Sequence, residues 1–226
     1  MVKSFNFYFN LIYNYYGIGT AKRSKVPLMA HIIEGVNVLK ALNASDDAIK
    51  AFMIHPIFQD DFLVDQYRYI HAVDAKIMLL VMEYRAVANA YLSTRVVTQI
   101  QDIKLSCIED VNKMLIADKI QNYKDFIAYH KASHHRSVEL DTYFQQWLSR
   151  LNVRYQYDKL VANCYNTSVT LRIKNGDKYL LLNRYLSDRT YVGQCHPGGK
   201  VDIGETLFQA LAREVKEEIG DSIDLT

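Results

Sequence analysis

Three cysteines, three prolines and nine glycines are all that 226 residues contain of these types. Cys107, Cys164 and Cys195 are far apart and form no CxxC pair. This argues against a disulfide framework or a zinc knuckle and makes a reducing cytosol the simplest compartment. No apolar run approaches the ~20 residues that cross a bilayer, so no membrane partner is expected. The N-terminal MVKSFNFYFNLIYNYYG is aromatic and broken by Asn, unlike the apolar core and small-residue cleavage site of a signal peptide. The expected location is therefore cytoplasmic. An excess of one charge is also missing: 27 Lys and Arg face 25 Asp and Glu, and the basic residues gather in no run. Nucleic acid is accordingly not an expected partner. Half of the residues are apolar, a globular composition long enough for two modest domains.

Glycine is scarcest before residue 150, where only Pro27 and Pro56 interrupt and Gly is nearly absent after Gly35. Apolar residues recur there at helical spacing, as Ile32, Val36, Leu39 and Leu42, then as Met78, Leu79, Met82 and Val87. Ser45-Asp46-Asp47 reads as a helix start with an acid available for the cap. After Arg150 the pattern changes. Residues 168–174 alternate apolar and polar, Asn175-Gly176 reads as a hairpin turn, and residues 178–184 form its partner strand. A helix is expected from about Thr206 to Ile219, with Thr206 and Gln209 spaced as a capping box and Gly220 placed to end it. The expectation is an α+β, two-domain chain: an all-α domain over 1–150, then an α/β domain with a mixed sheet over 151–226.

Residues 199–221 read GKVDIGETLFQALAREVKEEIGD. Glu214, Glu217 and Glu218 stand at i, i+3 and i+4, so a helix brings their carboxylates to one face. Three such carboxylates repel one another unless a hard divalent cation neutralises them, which makes Mg²⁺ or Mn²⁺ the natural ligand. EVKEE alone is most simply a solvated acidic face; its surroundings change that reading. The segment resembles the Nudix box, G-x5-E-x7-R-E-U-x-E-E-x-G-U, with U a bulky apolar residue. Gly199, Glu205, Arg213, Glu214, Val215, Glu217, Glu218 and Gly220 match, and Asp221 departs from the final U. The lead-in HPGGKVDIGET is similar to the loop of MutT-like members. The resemblance implies hydrolysis of the diphosphate bond in a nucleoside diphosphate linked to another group. It also implies metal on Glu214, Glu217 and Glu218, with Glu217 or Glu218 as base. Arg213 would pair with Glu205 to orient the helix, and Gly198, Gly199 and Lys200 would lie in the substrate-binding loop. A Nudix fold normally continues past this helix with further strands, whereas only Ser222 to Thr226 remain here. The expectation is a domain cut short, inefficient alone, with an open sheet edge that favours self-association.

Three segments of the helical half carry a second pattern. Residues 23–31, RSKVPLMAH, lead into a helix; His55-Pro56 ends a later one; and residues 115–122, LIADKIQN, lie further on. Their order over roughly residues 20–130 resembles the HD phosphohydrolase domain of (p)ppGpp hydrolases of the RelA/SpoT type. That family holds one divalent metal, Mn²⁺, on two His and two Asp. His31, His55 and Asp118 match three ligand positions, and Asn122 stands one helical turn from Asp118. The doublet Asp is Pro56 here, and Gln59 replaces an acid; Asp60 matches the acid that follows, with Asp61 a second candidate. The helical half is also similar to small bacteriophage proteins, which implies a phage origin.

Three functions are therefore in play: Nudix hydrolysis, HD-type nucleotide phosphohydrolysis, or a non-catalytic module that binds a nucleotide or a protein. Other residues have plainer readings. His130, His134 and His135 read as a polar interhelical loop, Tyr84-Arg85 as packing, and Cys195 and His196 as packing. Lys22, Arg23 and Lys25 read equally as phosphate ligands or as solvated surface.

Overall fold

The computed structural model describes residues 3–22, 24–59, 69–93, 99–164, 168–185, 191–200 and 207–220. The chain divides into two compact units, 1–164 and 165–226. Among the described residues no helix is long and apolar enough to cross a membrane.

The first unit is helical. Its helices are α1 (Phe5–Tyr16), α2 (Leu28–Ala41), α3 (Asp46–Ile54), α4 (Ala75–Ala90), α5 (Glu109–Asp125), α6 (Ser137–Arg150) and α7 (Tyr157–Val161). A 3-10 turn, His55–Phe58, continues α3, and a π-turn, Phe126–His130, continues α5. Helix α5 is the axis of the unit and packs against α2, α3, α4, α6 and α7. Contact on so many sides leaves it no solvent face over its middle turns. It buries Val111, Met114, Leu115 and Ile120, and it buries Asp118, Lys119, Gln121 and Lys124 as well. The acid expected to cap α3 is instead Ser45, whose hydroxyl accepts the Ala48 N–H at 3.1 Å; Asp46 and Asp47 fill the first turn, where the helix dipole favours negative charge. Helix α4 forms where the periodicity predicts but turns a different face inward. Ile77, Leu80, Val81, Tyr84 and Ala88 are buried, while Leu79 and Met82 are exposed.

The helical unit runs past Arg150, where the sequence changes character. Leu151, Val153, Leu160, Val161 and Cys164 are all buried in the helical core, and the short helix α7 is too brief for periodicity to reveal. The domain expected from 151 thus gives its first fourteen positions to the helical unit.

The second unit contains six short strands among its described residues: β1 (Ser168–Thr170), β2 (Lys174–Asn175), β3 (Lys178–Tyr179), β4 (Leu182–Tyr185), β5 (Tyr191–Cys195) and β6 (Gly198–Lys200). They pair as three antiparallel ladders, β1 with β6, β2 with β3, and β4 with β5, where one mixed sheet is expected from sequence. The long hairpin expected from residues 168–184 shrinks to β2 and β3. Asn175 pairs with Lys178, so the two-residue loop is Gly176-Asp177, with Gly176 at φ 60 in the first loop position as a type II′ turn requires. Helix α8 (Leu207–Ile219) packs on β1 and β6. Gly220, at φ 85, ends it, its N–H reaching the Lys216 carbonyl at 3.0 Å. Thr206 lies outside the described residues.

One close approach sets the geometry of the helical unit. Gly35 on α2 lies against the ring of Phe52 on α3, and a Cβ at this position would collide with that ring. Phe52 is fully buried and also contacts His31 and His55. Gly35→Ala is expected to lower stability by about 1–3 kcal/mol through overpacking. Urea denaturation followed by the fluorescence of Trp147, the single tryptophan, measures this; an unchanged midpoint would mean that α2 and α3 separate without cost.

Candidate functional site

Three helices bring three of the expected ligands together. His31 is the fourth residue of α2, His55 is the first past α3, and Asp118 lies in the buried middle of α5. His31 Nε2 is 3.4 Å from His55 Nε2 and 3.6 Å from Asp118 Oδ1, and His55 Nε2 is 4.0 Å from the same oxygen. Among the described residues this is the group whose donor atoms lie within 4.8 Å of one another. An ion equidistant from the three atoms would lie about 2.1 Å from each, the length of a metal–imidazole bond. The spacing of these three atoms therefore suits a divalent transition metal.

The orientation of His55 follows from its neighbours. Its Nδ1 is 2.6 Å from the Phe52 carbonyl, which can only accept, so Nδ1 carries the proton and Nε2 presents a bare lone pair to the group. The carbonyl is available for a local reason. In a helix it would take the N–H four residues on, and that residue is Pro56, which has none. Burial, with repulsion from His31, depresses the His55 pKa to about 3 against the opposing pull of Asp118.

Asp118 is 4 % exposed. Burial pushes its carboxyl upward, but Lys119, His31 and His55 outweigh that and hold it at about 2. Oδ2 accepts from the Lys119 ammonium at 2.8 Å and Oδ1 from the Asn122 amide at 2.8 Å. Lys119 is itself buried, over the rings of Tyr143 and Trp147; burial lowers its pKa, yet Asp118 raises it further, so it stays charged. Tyr84 packs edge-on against His55, and burial together with Asp118 keeps its phenol protonated.

These groups line a cavity of about 390 Å³ that also meets Tyr16, Pro27, Pro56 and Gln59. That volume lies at the lower end for small-molecule sites. Pro56 forms wall where the resemblance expects a carboxylate, so it supplies no donor atom. Asp60, Asp61 and Arg23 lie outside the described residues. Lys22 and Lys25 are exposed. His134 and His135 stack at 4.7 Å beside a separate hollow and bring together no metal-sized group with His130. Sequence reasoning passed over Lys119, Gln121 and Glu34. The signal was available: D-K-I-Q-N-Y-K-D is too polar for the middle of a helix bracketed by apolar segments.

In the second unit, α8 presents its acids to the first two residues of β6. The Gly198 N–H donates to Glu218 Oε2 at 2.8 Å. The Glu214 carboxylate lies where a Cβ on Gly199 would be, so any side chain there would displace that acid. Arg213 Nη1 donates to Glu214 Oε1 at 2.9 Å and reaches Glu217 Oε2 at 3.5 Å. Glu214, Glu217 and Glu218 thus share one helical face without closing into a metal-sized cluster. Glu205 lies outside the described residues, so its expected pairing with Arg213 does too. Lys200 is described through its backbone, which pairs with Ser168. His196 meets the edge of Tyr179 at 5.8 Å.

Residues 165–226 match the family model of the NUDIX domain, and these are the residues of the second compact unit. Comparison with curated proteins and with solved structures gave no significant match. None of these comparisons supports the HD-type resemblance of the helical unit.

A pH dependence follows from His55 and Asp118. As pH falls below 6.5 the unfolded chain protonates its histidine while folded His55, near 3, refuses the proton. Below 3.8 the unfolded Asp118 protonates before the folded one, near 2. Both effects remove stability as the medium becomes acidic, by up to about 1.4 kcal/mol per pH unit for each group. Urea midpoints measured on the metal-free chain should fall from pH ~7 to ~5, and less so in His55→Asn. Parallel profiles for the two proteins would remove His55 as the cause.

Proposed function

We propose that the protein is a metal-dependent hydrolase that cleaves the diphosphate bond of a nucleoside diphosphate linked to another group, using the unit at 165–226. The observation that carries this reading is the NUDIX match over the same residues that pair a double-glycine turn with an acidic helix. Glu214, Glu217 and Glu218 would hold Mg²⁺ or Mn²⁺, hard cations suited to carboxylate oxygen. When bound, such an ion supplies charge to stabilise the leaving phosphate and to acidify water. The chain's own residues do the rest. Glu218 fixes the turn through the Gly198 N–H, Arg213 holds Glu214 and Glu217 on one face, and Glu217 or Glu218 takes the proton of the attacking water. Gly198, Gly199 and Lys200 are where the phosphates meet the backbone.

A second reading is favoured by the convergence of His31, His55 and Asp118. In it the helical unit binds Mn²⁺ and acts on a nucleotide phosphate in the HD manner, with Asn122 beside the ligand and Asp60 as the remaining acid.

Glu217→Gln or Glu218→Gln should lower Mg²⁺-dependent release from a panel of nucleoside diphosphate derivatives by roughly 100-fold or more, with the fold retained. Wild-type rates in both variants would remove the Nudix assignment. Calorimetric titration with Mn²⁺ separates the second reading. Binding lost in His55→Ala and Asp118→Asn but kept in Glu217→Gln places an ion on the helical unit. Binding unaffected by the first two variants excludes it.

A further inference from the structure

Resting on the reading of the helical cavity as a metal site, we infer that Gln121 is a positioning residue that fixes His31 as a metal ligand through an amide link to Glu34 and Asp125. Gln121 is fully buried on α5, one turn from Asp118. Its Nε2 lies 3.0 Å from Glu34 Oε2 and 2.8 Å from Asp125 Oδ2. Two carboxylates can only accept, so the atom between them is the NH₂ group and the amide has one possible orientation. Its oxygen then faces His31 Nδ1 at 2.6 Å. An amide oxygen also only accepts, so Nδ1 of His31 carries a proton, and in the neutral ring Nε2 is the bare atom toward His55 and Asp118.

The consequence is electrostatic. With Nδ1–H on His31 and on His55, two imidazole lone pairs and a carboxylate oxygen converge with no proton of their own to share. A cation relieves that convergence. The imidazole–amide–carboxylate chain does the work that a carboxylate alone does for many metal-bound histidines, setting the tautomer and raising ligand basicity. Lys124 holds the far end: its ammonium contacts Glu34 Oε2 at 2.6 Å and Asp125 Oδ1 at 2.9 Å. The ammonium thus pins both acids in the positions from which they accept the Gln121 amide. Glu34 is three residues from His31 on α2, and Asp125 four from Gln121 on α5, so the link ties the two helices that meet at the site.

The test uses the full chain with ¹⁵N-labelled histidine. Long-range ¹H–¹⁵N correlation on the metal-free protein at neutral pH reads the tautomer of each ring, and Mn²⁺ titration reads affinity. The wild type should show Nδ1–H on both His31 and His55. Gln121→Leu should move His31 toward Nε2–H while His55 keeps Nδ1–H, and should weaken Mn²⁺ binding by roughly 10–100-fold. Gln121→Met, closer in length, is the second variant should the first fail to fold. An unchanged His31 tautomer with Mn²⁺ still bound would overturn the role of Gln121 alone. Absence of Mn²⁺ binding by the wild type would instead remove the metal reading on which that role depends.

Discussion

The Asp118 carboxylate sits at 4 % exposure on a helix enclosed by five others, and much of the helical unit is arranged so that it remains charged. An ion buried this deeply is costly unless every lone pair is answered. Lys119 answers one oxygen and Asn122 the other, and Tyr143 and Trp147 then shelter the Lys119 charge. His31 and His55 face the same carboxylate from α2 and from the end of α3, where a cation between them would relieve the convergence of lone pairs. Replacing Asp118 would strand a buried ammonium, so the carboxylate belongs to the fold as much as to the site.

The second unit works on a smaller scale and by contact with backbone. Its strands are short, and what ties α8 to them is the close seating of Glu214 on Gly199 and of Glu218 on the Gly198 N–H. Charge and space are used together there: a side chain at 199 would displace the acid, and loss of the acid would leave the turn unsupported.

How much of this is legible in the sequence depends on the range of the interaction. Helix α8, its stop at Gly220 and the spacing of its acids follow from residues within a few positions of each other. The convergence of His31, His55 and Asp118 is legible only by resemblance, because up to 87 positions separate them and periodicity carries no such information. The inward face of α4 and the extent of the helical unit to Cys164 are set by what packs against them. Leu79 and Met82 are as apolar as Leu80 and Val81, so composition could not choose between the faces. The strand pairing escapes local reading for a similar reason. An Asn-Gly dipeptide marks a turn, but the ladder around it is set by where β1 and β4 find partners, with β6 and β5.

Pro56 has a bearing on how this chain can change. It stands where a carboxylate is expected, and it is also the residue whose missing N–H leaves the Phe52 carbonyl open to His55. An aspartate placed at that position would add a backbone donor as well as an acid, and that donor would compete for the oxygen that now orients the imidazole. The exchange is therefore not symmetric. A carboxylate at 56 would therefore come at the expense of the contact that orients His55.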